Sequence, residues 1–425
     1  MTGTSGPVAS VPRAAPRRRA PLGLVLAALP VLVMAVNLRP ALASVGPVLP
    51  EIGADLGLGS WQLAVLTAGP VFCMGLFAAT ASGLVRRAGL RAAVVVVLAT
   101  IGAGLLVRLG PGLALLFAGT LVAAVGIAVG NVLVPTLVRE EHPDRVGPLM
   151  GLYTVALAGS ASVASAASVP LAQYSDLGWR AALGPWALLA LVAAVASAPR
   201  ARRQRAPGTT VRARPGGLGR SRLAWSVTGY FALQSLSFYT TLTWLAPILR
   251  DGGTSATRAG LLVSLLTLVQ LPASLAVPLV ASRRSSQRPL VVLVCVVSVL
   301  GLSGLLLAPG HLPVLWVGLL GLGQGAGFAL ALTLLVLRTS TPADTTALSA
   351  MTQSVGYTCA GLGPLAAGAL HDLLGTWSVP LALLLALLVL QLLPGLVAAG
   401  PGVVRRSGSG AGPGGGAPVG TVLEP

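Results

Sequence analysis

Arg39 stands where an arginine is costly. It lies in Val36-Asn37-Leu38-Arg39-Pro40-Ala41, inside a run from Leu22 to Leu49 that is otherwise almost wholly apolar, with Asn37 and Ser44 the main other polar side chains. In a run that crosses a bilayer, such a cation has three uses. It can face a central cavity and bind an anion, pair with a nearby carboxylate such as Glu51 or Asp55, or snorkel toward the headgroups. Arg39 is the eighteenth residue of the run, which at 1.5 Å per residue puts it roughly 26 Å from the inner end, in the outer half of a membrane. Pro40 removes one intrahelical bond and can kink the segment, freeing carbonyls near Val36 and Asn37.

Other polar side chains recur in apolar surroundings. Asn131 follows the small-xxx-small pair Gly126 and Gly130, so it either bonds across a helix interface or lines a cavity. The stretch 224–248 is the most polar and aromatic of the runs. Stepping by three or four places Gln234, Ser237 or Phe238, and Thr241 on one face, with Tyr239 beside them. That face suits a small polar solute, or glues helices together. Tyr153, Gln324 among Gly321, Gly323, Gly325 and Gly327, and the i, i+4 pair Gln353 and Tyr357 add further polar handles. The candidate binding set is therefore Arg39, Asn37, Asn131, Tyr153, Gln234, Tyr239, Gln324, Gln353 and Tyr357, with Arg39 and Gln234 first. No Asp or Glu falls deep in any run, so the best-placed charge is positive and favours an anion or a neutral polar molecule. No catalytic constellation, metal cluster or phosphate loop is present; a lysine-free chain lacks the lysine that such a loop needs.

The elements that carry these residues follow from composition. Of 425 residues 55% are hydrophobic and 9% charged, and the mean hydropathy is +0.87. A soluble chain carries about a quarter of its residues as charges. Long apolar runs broken by short polar ones predict an all-α polytopic membrane protein. Twelve transmembrane helices are expected at 22–49, 61–82, 90–109, 111–138, 147–171, 181–198, 224–248, 257–281, 289–308, 312–338, 344–371 and 376–399. They divide into 1–20, a disordered basic tail; 21–198, a six-helix half; 199–223, a basic cytoplasmic linker; 224–399, a second half; and 400–425, a disordered tail. All 28 basic residues are arginine, and twenty-three fall on one side of such a topology, with Arg108, Arg180, Arg250 and Arg258 on the other and Arg39 within a span. That asymmetry puts both termini in the cytoplasm and argues against nucleic acid. Trp61, Trp179, Trp244 and Trp377 fall at outer span ends, as an interfacial belt would. Cys73, Cys295 and Cys359 lie in apolar runs and read as core.

The halves echo each other at an offset near 197 to 199: Arg86-Arg87 onto Arg283-Arg284, Pro50 onto Pro247, Arg139 onto Arg338, Trp179 onto Trp377. Asn37 maps onto Gln234, but Arg39 maps onto Leu236. A positive charge in one half alone points to an off-centre substrate or gating contact.

Several motifs carry a resemblance: Asn37-Leu38-Arg39-Pro40-Ala41 followed by Val45-Gly46-Pro47-Val48-Leu49-Pro50, Gly126 to Pro135, Gly151-Leu152-Tyr153, Leu233 to Tyr239, and Gly321 to Gly325. From about Pro21 to Leu396 the chain resembles the major facilitator superfamily, and within it the family of the cyanate and 2-nitroimidazole transporters. The resemblance implies two pseudo-symmetric six-helix halves, a bacterial cytoplasmic membrane, and alternating access for a small, flat polar solute. The superfamily's signature between spans 2 and 3, Gly-x-x-x-Asp-Arg-x-Gly-Arg-Arg, reads here Gly83-Leu84-Val85-Arg86-Arg87-Ala88-Gly89-Leu90-Arg91, with arginine in place of the aspartate. Arg86 and Arg87 then either pair with a helix C-terminus or with Glu140 or Glu141 as a gate, or serve as positive-inside anchors. The expected activity is secondary or facilitative transport of a small anion or polar compound, cyanate- or nitroimidazole-like; the alternative is a proton-coupled exporter of drugs or metabolites. No enzyme activity and no cofactor are expected. The expected partners are the solute and membrane lipids, the protein a monomer, and a proton gradient one candidate driving force.

Overall fold

A computed structural model describes residues 21–202, 218–308 and 310–404. Span 1 runs Pro21–Leu38, breaks at Arg39, and resumes as Pro40–Ala43, a 3-10 turn Gly46–Val48 and Leu49–Leu56. Span 2 is Ser60–Phe77 with Ala81–Ala88, span 3 Leu90–Val107, span 4 Leu113–Glu141, span 5 Val146–Gln173 and span 6 Trp179–Arg202. The second half repeats the pattern. Span 7 is Arg222–Asp251, span 8 Ala256–Leu268 with Gln270–Ser282, span 9 Arg288–Leu307, span 10 Pro313–Leu337, span 11 Pro342–Leu374, and span 12 Ser378–Leu390 with Leu392–Ala398. Every expected span is present, with ends shifted by a few residues. The expected amino-terminal tail, residues 405–425 and the part of the linker from 203 to 217 lie outside the described residues; residues 400–404, expected in the disordered tail, instead pack against the end of span 10, with Val404 N donating to Arg338 O at 2.8 Å.

Ten of these helical segments are long and apolar enough to cross a membrane on length and composition alone. Spans 7 and 11 are not among them, although they run for 30 and 33 residues. They pack along each other and carry Gln234, Ser237, Tyr239, Gln353 and Tyr357. A helix that faces a polar cavity on one side need not be apolar all round.

Close packing rests on absent side chains. A Cβ on Gly119 of span 4 would lie 2.5 Å from Gly104 O and 2.7 Å from Arg108 Cα of span 3, so glycine is what lets these two helices touch through backbone.

The two halves meet mainly at the end of the bundle that carries Arg86, Arg139 and Arg338. There Thr136 Oγ1 lies 3.0 Å from Thr346 Oγ1, and Thr154 Oγ1 donates to Ser274 O at 2.9 Å. A Cβ on Gly151 would lie 2.9 Å from Leu275 O, and one on Gly75 2.8 Å from Thr358 N. At the other end, Leu49–Leu56 and Ala256–Leu268 pack on helices of their own halves.

Candidate functional site

The site begins at the break in span 1. Pro40 has no N–H, so the Val36 carbonyl loses its helical donor. Leu42 and Ala43 both donate to Arg39 O, and Arg39 becomes the residue preceding a new four-residue helix. Its side chain points across to the other half. Nη1 lies 3.4 Å from Tyr239 Oη, and the guanidinium sits 6.0 Å from the ring centre of Phe328. Tyr153 and Tyr357, both 1% exposed, lie within electrostatic reach of it.

Aromatic rings build the wall beside this cation. Phe238 packs edge-on against Tyr239 at 5.3 Å and stacks on Phe328 at 6.5 Å; Phe231 lies 6.0 Å from Phe328 and meets Tyr357 edge-on at 5.5 Å. The chain has only six Phe and five Tyr, so this gathering of three of each with Tyr153 is a concentration, not a background. Tyr153 Oη donates to Asn131 Oδ1 at 3.1 Å, and Gln353 Nε2 donates to Asn131 O at 3.1 Å, tying spans 4, 5 and 11 together. Asn37 Nδ2 bonds back to Val33 O at 2.7 Å, while its Oδ1, like Gln353 Oε1, is buried with no partner among the described residues. An arginine that makes one long hydrogen bond beside an aromatic wall can hold a small solute with an anionic or amide-like edge against the rings.

Of the three uses open to Arg39, the carboxylate pair is not the one found. Asp55 is taken by Trp179 Nε1 at 2.9 Å and Arg180 Nη1 at 3.2 Å, because Leu49–Leu56 turns toward span 6. Gln234 and Gln324 do not join Arg39 either. Gln234, fully buried, donates to Gln324 Oε1 at 2.6 Å and accepts from Gln391 at 2.8 Å, while Gln324 donates to Ser237 Oγ at 2.8 Å. This knot locks spans 7, 10 and 12. Gly327 makes room for it, since a Cβ there would strike the Gln234 amide.

Of the residues considered for a gate, Glu141 pairs with Arg91 at 3.1 Å rather than with Arg86 or Arg87. Those two end the helix Ala81–Ala88, exposed, where a cation suits the helix dipole. Glu140 is exposed next to Glu141. Trp179 and Trp377, placed by sequence in an interfacial belt, are 4% and 9% exposed and donate to Asp55 and Asp251 instead. Arg108, assigned by sequence to an outer loop, is 1% exposed and donates to Ala41 O at 2.7 Å. Nothing in its neighbours betrays this, because an arginine at a span end reads as interfacial. Phe328 and Phe231 were also missed; the scarcity of aromatics was the available signal.

Two six-helix bundles, joined at one end around a cationic, aromatic-walled seat, define a secondary transporter that works by alternating access. The chain matches the Major Facilitator Superfamily over residues 31–361 and belongs to it. It is 37% identical over 362 residues to the uncharacterized transporter YycB of Bacillus subtilis, covering 85% of this chain and 90% of that one. It is 36% identical to the 2-nitroimidazole transporter of Escherichia coli, covering 87% and 94%, and 33% identical to the cyanate transport protein CynX of the same organism, covering 81% and 90%. Among solved structures, the transporter FucP in its outward conformation matches with a TM-score of 0.69 at 13% identity, over 87% of this chain and 98% of that one, which is a likeness of fold. The protein is thus a multi-pass membrane transporter rather than an enzyme.

Proposed function

We propose that Arg39 is the anion-binding group of this transporter and that the solute is a small planar anion or planar polar compound, held by the guanidinium against Phe238, Phe328 and Tyr239. The observation that carries this reading is the geometry of Arg39 itself: a cation in a broken span, without a carboxylate partner among the described residues, facing the aromatic wall of the opposite half. The names of two relatives, a cyanate carrier and a 2-nitroimidazole carrier, are in keeping with a flat polar solute.

The arginine-rich end is the cytoplasmic one by the positive-inside rule, so both termini are inside and the shape described here is closed to the cytoplasm. Asn37, Asn131, Tyr153, Gln353 and Tyr357 support the seat; Gln234 and Gln324 hold the second half together; Arg91 with Glu141 braces the inner end beside Arg86, Arg87 and Glu140. The protein acts as a monomer, since each chain holds a complete seat between its own halves. With no acid in the seat, a proton gradient drives transport only through groups outside it.

Proteoliposome uptake of radiolabelled cyanate and 2-nitroimidazole, with and without a pH gradient, tests this. Arg39→Ala abolishes saturable uptake. Arg39→Lys keeps the charge but loses the planar fork, and falls by about tenfold or more, the loss expected for a charge-assisted bond. Normal uptake by folded Arg39→Ala protein would overturn the proposal.

A further inference from the structure

A fully buried arginine, Arg108, reaches the break in span 1. Around the break in span 1 the backbone donors are shared unevenly. Leu42 and Ala43 N–H go to Arg39 O, Ser44 N–H to Pro40 O, and Val45 N–H to Leu42 O. Ala41 O is passed over. It lies two residues beyond Arg39, is buried, and needs a donor from elsewhere. Arg108 of span 3 supplies it, with Nη1 2.7 Å away across 67 residues of sequence. Gly119 of span 4 packs directly on the Arg108 backbone, since a Cβ there would lie 2.7 Å from Arg108 Cα. Three residues on, Ser168 Oγ lies 3.0 Å from Ser44 O, so the broken segment is gripped from spans 3 and 5 together.

The rest of the Arg108 side chain is poorly served. It is 1% exposed, and its Nε and Nη2 have no partner among the described residues. Burying a guanidinium for a single carbonyl bond is a weak way to gain stability. It is a strong way to fix one carbonyl in place, because that bond is charge-assisted and its donor comes from a rigid neighbouring helix.

We infer that Arg108 is the positioning residue of the Arg39 seat: it caps the orphaned Ala41 carbonyl and so sets the direction in which Arg39 leaves the break. The inference rests on the reading of Arg39 as the solute-binding group. Its structural half can be tested without that reading.

The test uses full-length protein in proteoliposomes and two readouts. In the first, Arg108→Met raises the KM for 2-nitroimidazole or cyanate about tenfold, the scale of a lost charged hydrogen bond, with kcat changed far less. Arg108→Lys restores most of the affinity, since one donor is used, whereas Arg39→Lys does not. Pro40→Ala supplies the missing N–H and lets the helix continue, so adding Arg108→Met to it produces a much smaller further change. In the second, Cys73, Cys295 and Cys359 are replaced, and Arg39→Cys is labelled with a water-soluble thiol reagent. Arg108→Met changes the labelling rate severalfold, while melting in detergent confirms that the variants fold. Unchanged KM and unchanged labelling in Arg108→Met would overturn the inference, as would a loss that is additive with Pro40→Ala, which marks general packing. If Arg39→Ala transports normally, the function proposed above fails, yet the labelling experiment still decides whether Arg108 sets the geometry at position 39.

Discussion

The two halves finish the end away from the arginine-rich one with the same clasp, built with different cations. In the first half Asp55 Oδ2 accepts from Trp179 Nε1 at 2.9 Å and from Arg180 Nη1 at 3.2 Å, and the Arg180 guanidinium lies 4.1 Å from the Trp179 ring centre. In the second half Asp251 Oδ2 accepts from Trp377 Nε1 at 2.6 Å, and His371 stacks on Trp377 at 3.8 Å with its Nε2 4.0 Å from Asp251. The carboxylate–indole bridge is constant, so it is what the fold needs to join the first and last helices of a half. The cation is free to differ, and so is the helix that carries it. Arg180 sits in span 6 and also reaches Leu109 O beside span 3 at 3.3 Å, within the first bundle. His371 sits in span 11, the polar helix that also brings Gln353 and Tyr357 to the seat. The pairing of Arg39 with Leu236 in the repeat is the same lesson at the centre: shared scaffold, unshared charge.

The largest effect comes from breaking the constant part. Trp377→Phe removes the indole donor and lowers stability by about 1 kcal/mol, the usual net worth of such a bond, read as a fall in melting temperature. Trp179→Phe falls less far, because Asp55 keeps the Arg180 bond. Equal losses would show that the cation contributes nothing to either clasp. Next in size is the effect of the cation's chemistry. Arginine offers a planar fork that matches a carboxylate, whereas the His371 ring stacks on Trp377 and leaves its Nε2 4.0 Å from Asp251. His371→Arg lets a planar fork reach Asp251 and raises the melting temperature slightly; an unchanged melting temperature would show that the cation adds nothing to this clasp. Smallest is Arg180→His, at a half-exposed carboxylate where ion pairs are worth little. It leaves uptake at neutral pH close to the wild-type rate, and a large drop would mean that the first clasp moves during transport.

Much of this was open to reading in the sequence, and the limits fall along one line. Ten of the twelve spans follow from long apolar runs, a local property, while spans 7 and 11 carry polar faces and stand out less. Arg39 is visible because a charge in such a run has no neighbours to hide among, and Pro40 beside it announces the break. Features that depend on which helix lies opposite were not legible. Gln234 and Arg39 share a sequence argument, polar in an apolar span, yet one faces Gln324 and Gln391 inside its own bundle and the other faces Tyr239 of the opposite half. Arg108 and Arg180 both close a loop in sequence, and only packing buries the first. Asp55 looked available to Arg39 until Leu49–Leu56 turned it toward Trp179.

The shut end of the bundle has no slack. Where spans 5 and 8 cross, Gly147 faces Pro278 O at what would be 2.8 Å from a Cβ, and Gly151 faces Leu275 O. A seam that tight acts as a latch whose keyway is missing side chains. Any residue larger than glycine there works as a doorstop, propping the arginine-rich end ajar. A carrier so propped would show its opposite face for as long as the wedge stayed in place, offering a form of the protein held open at the arginine-rich end on which that half of the transport cycle can be studied alone.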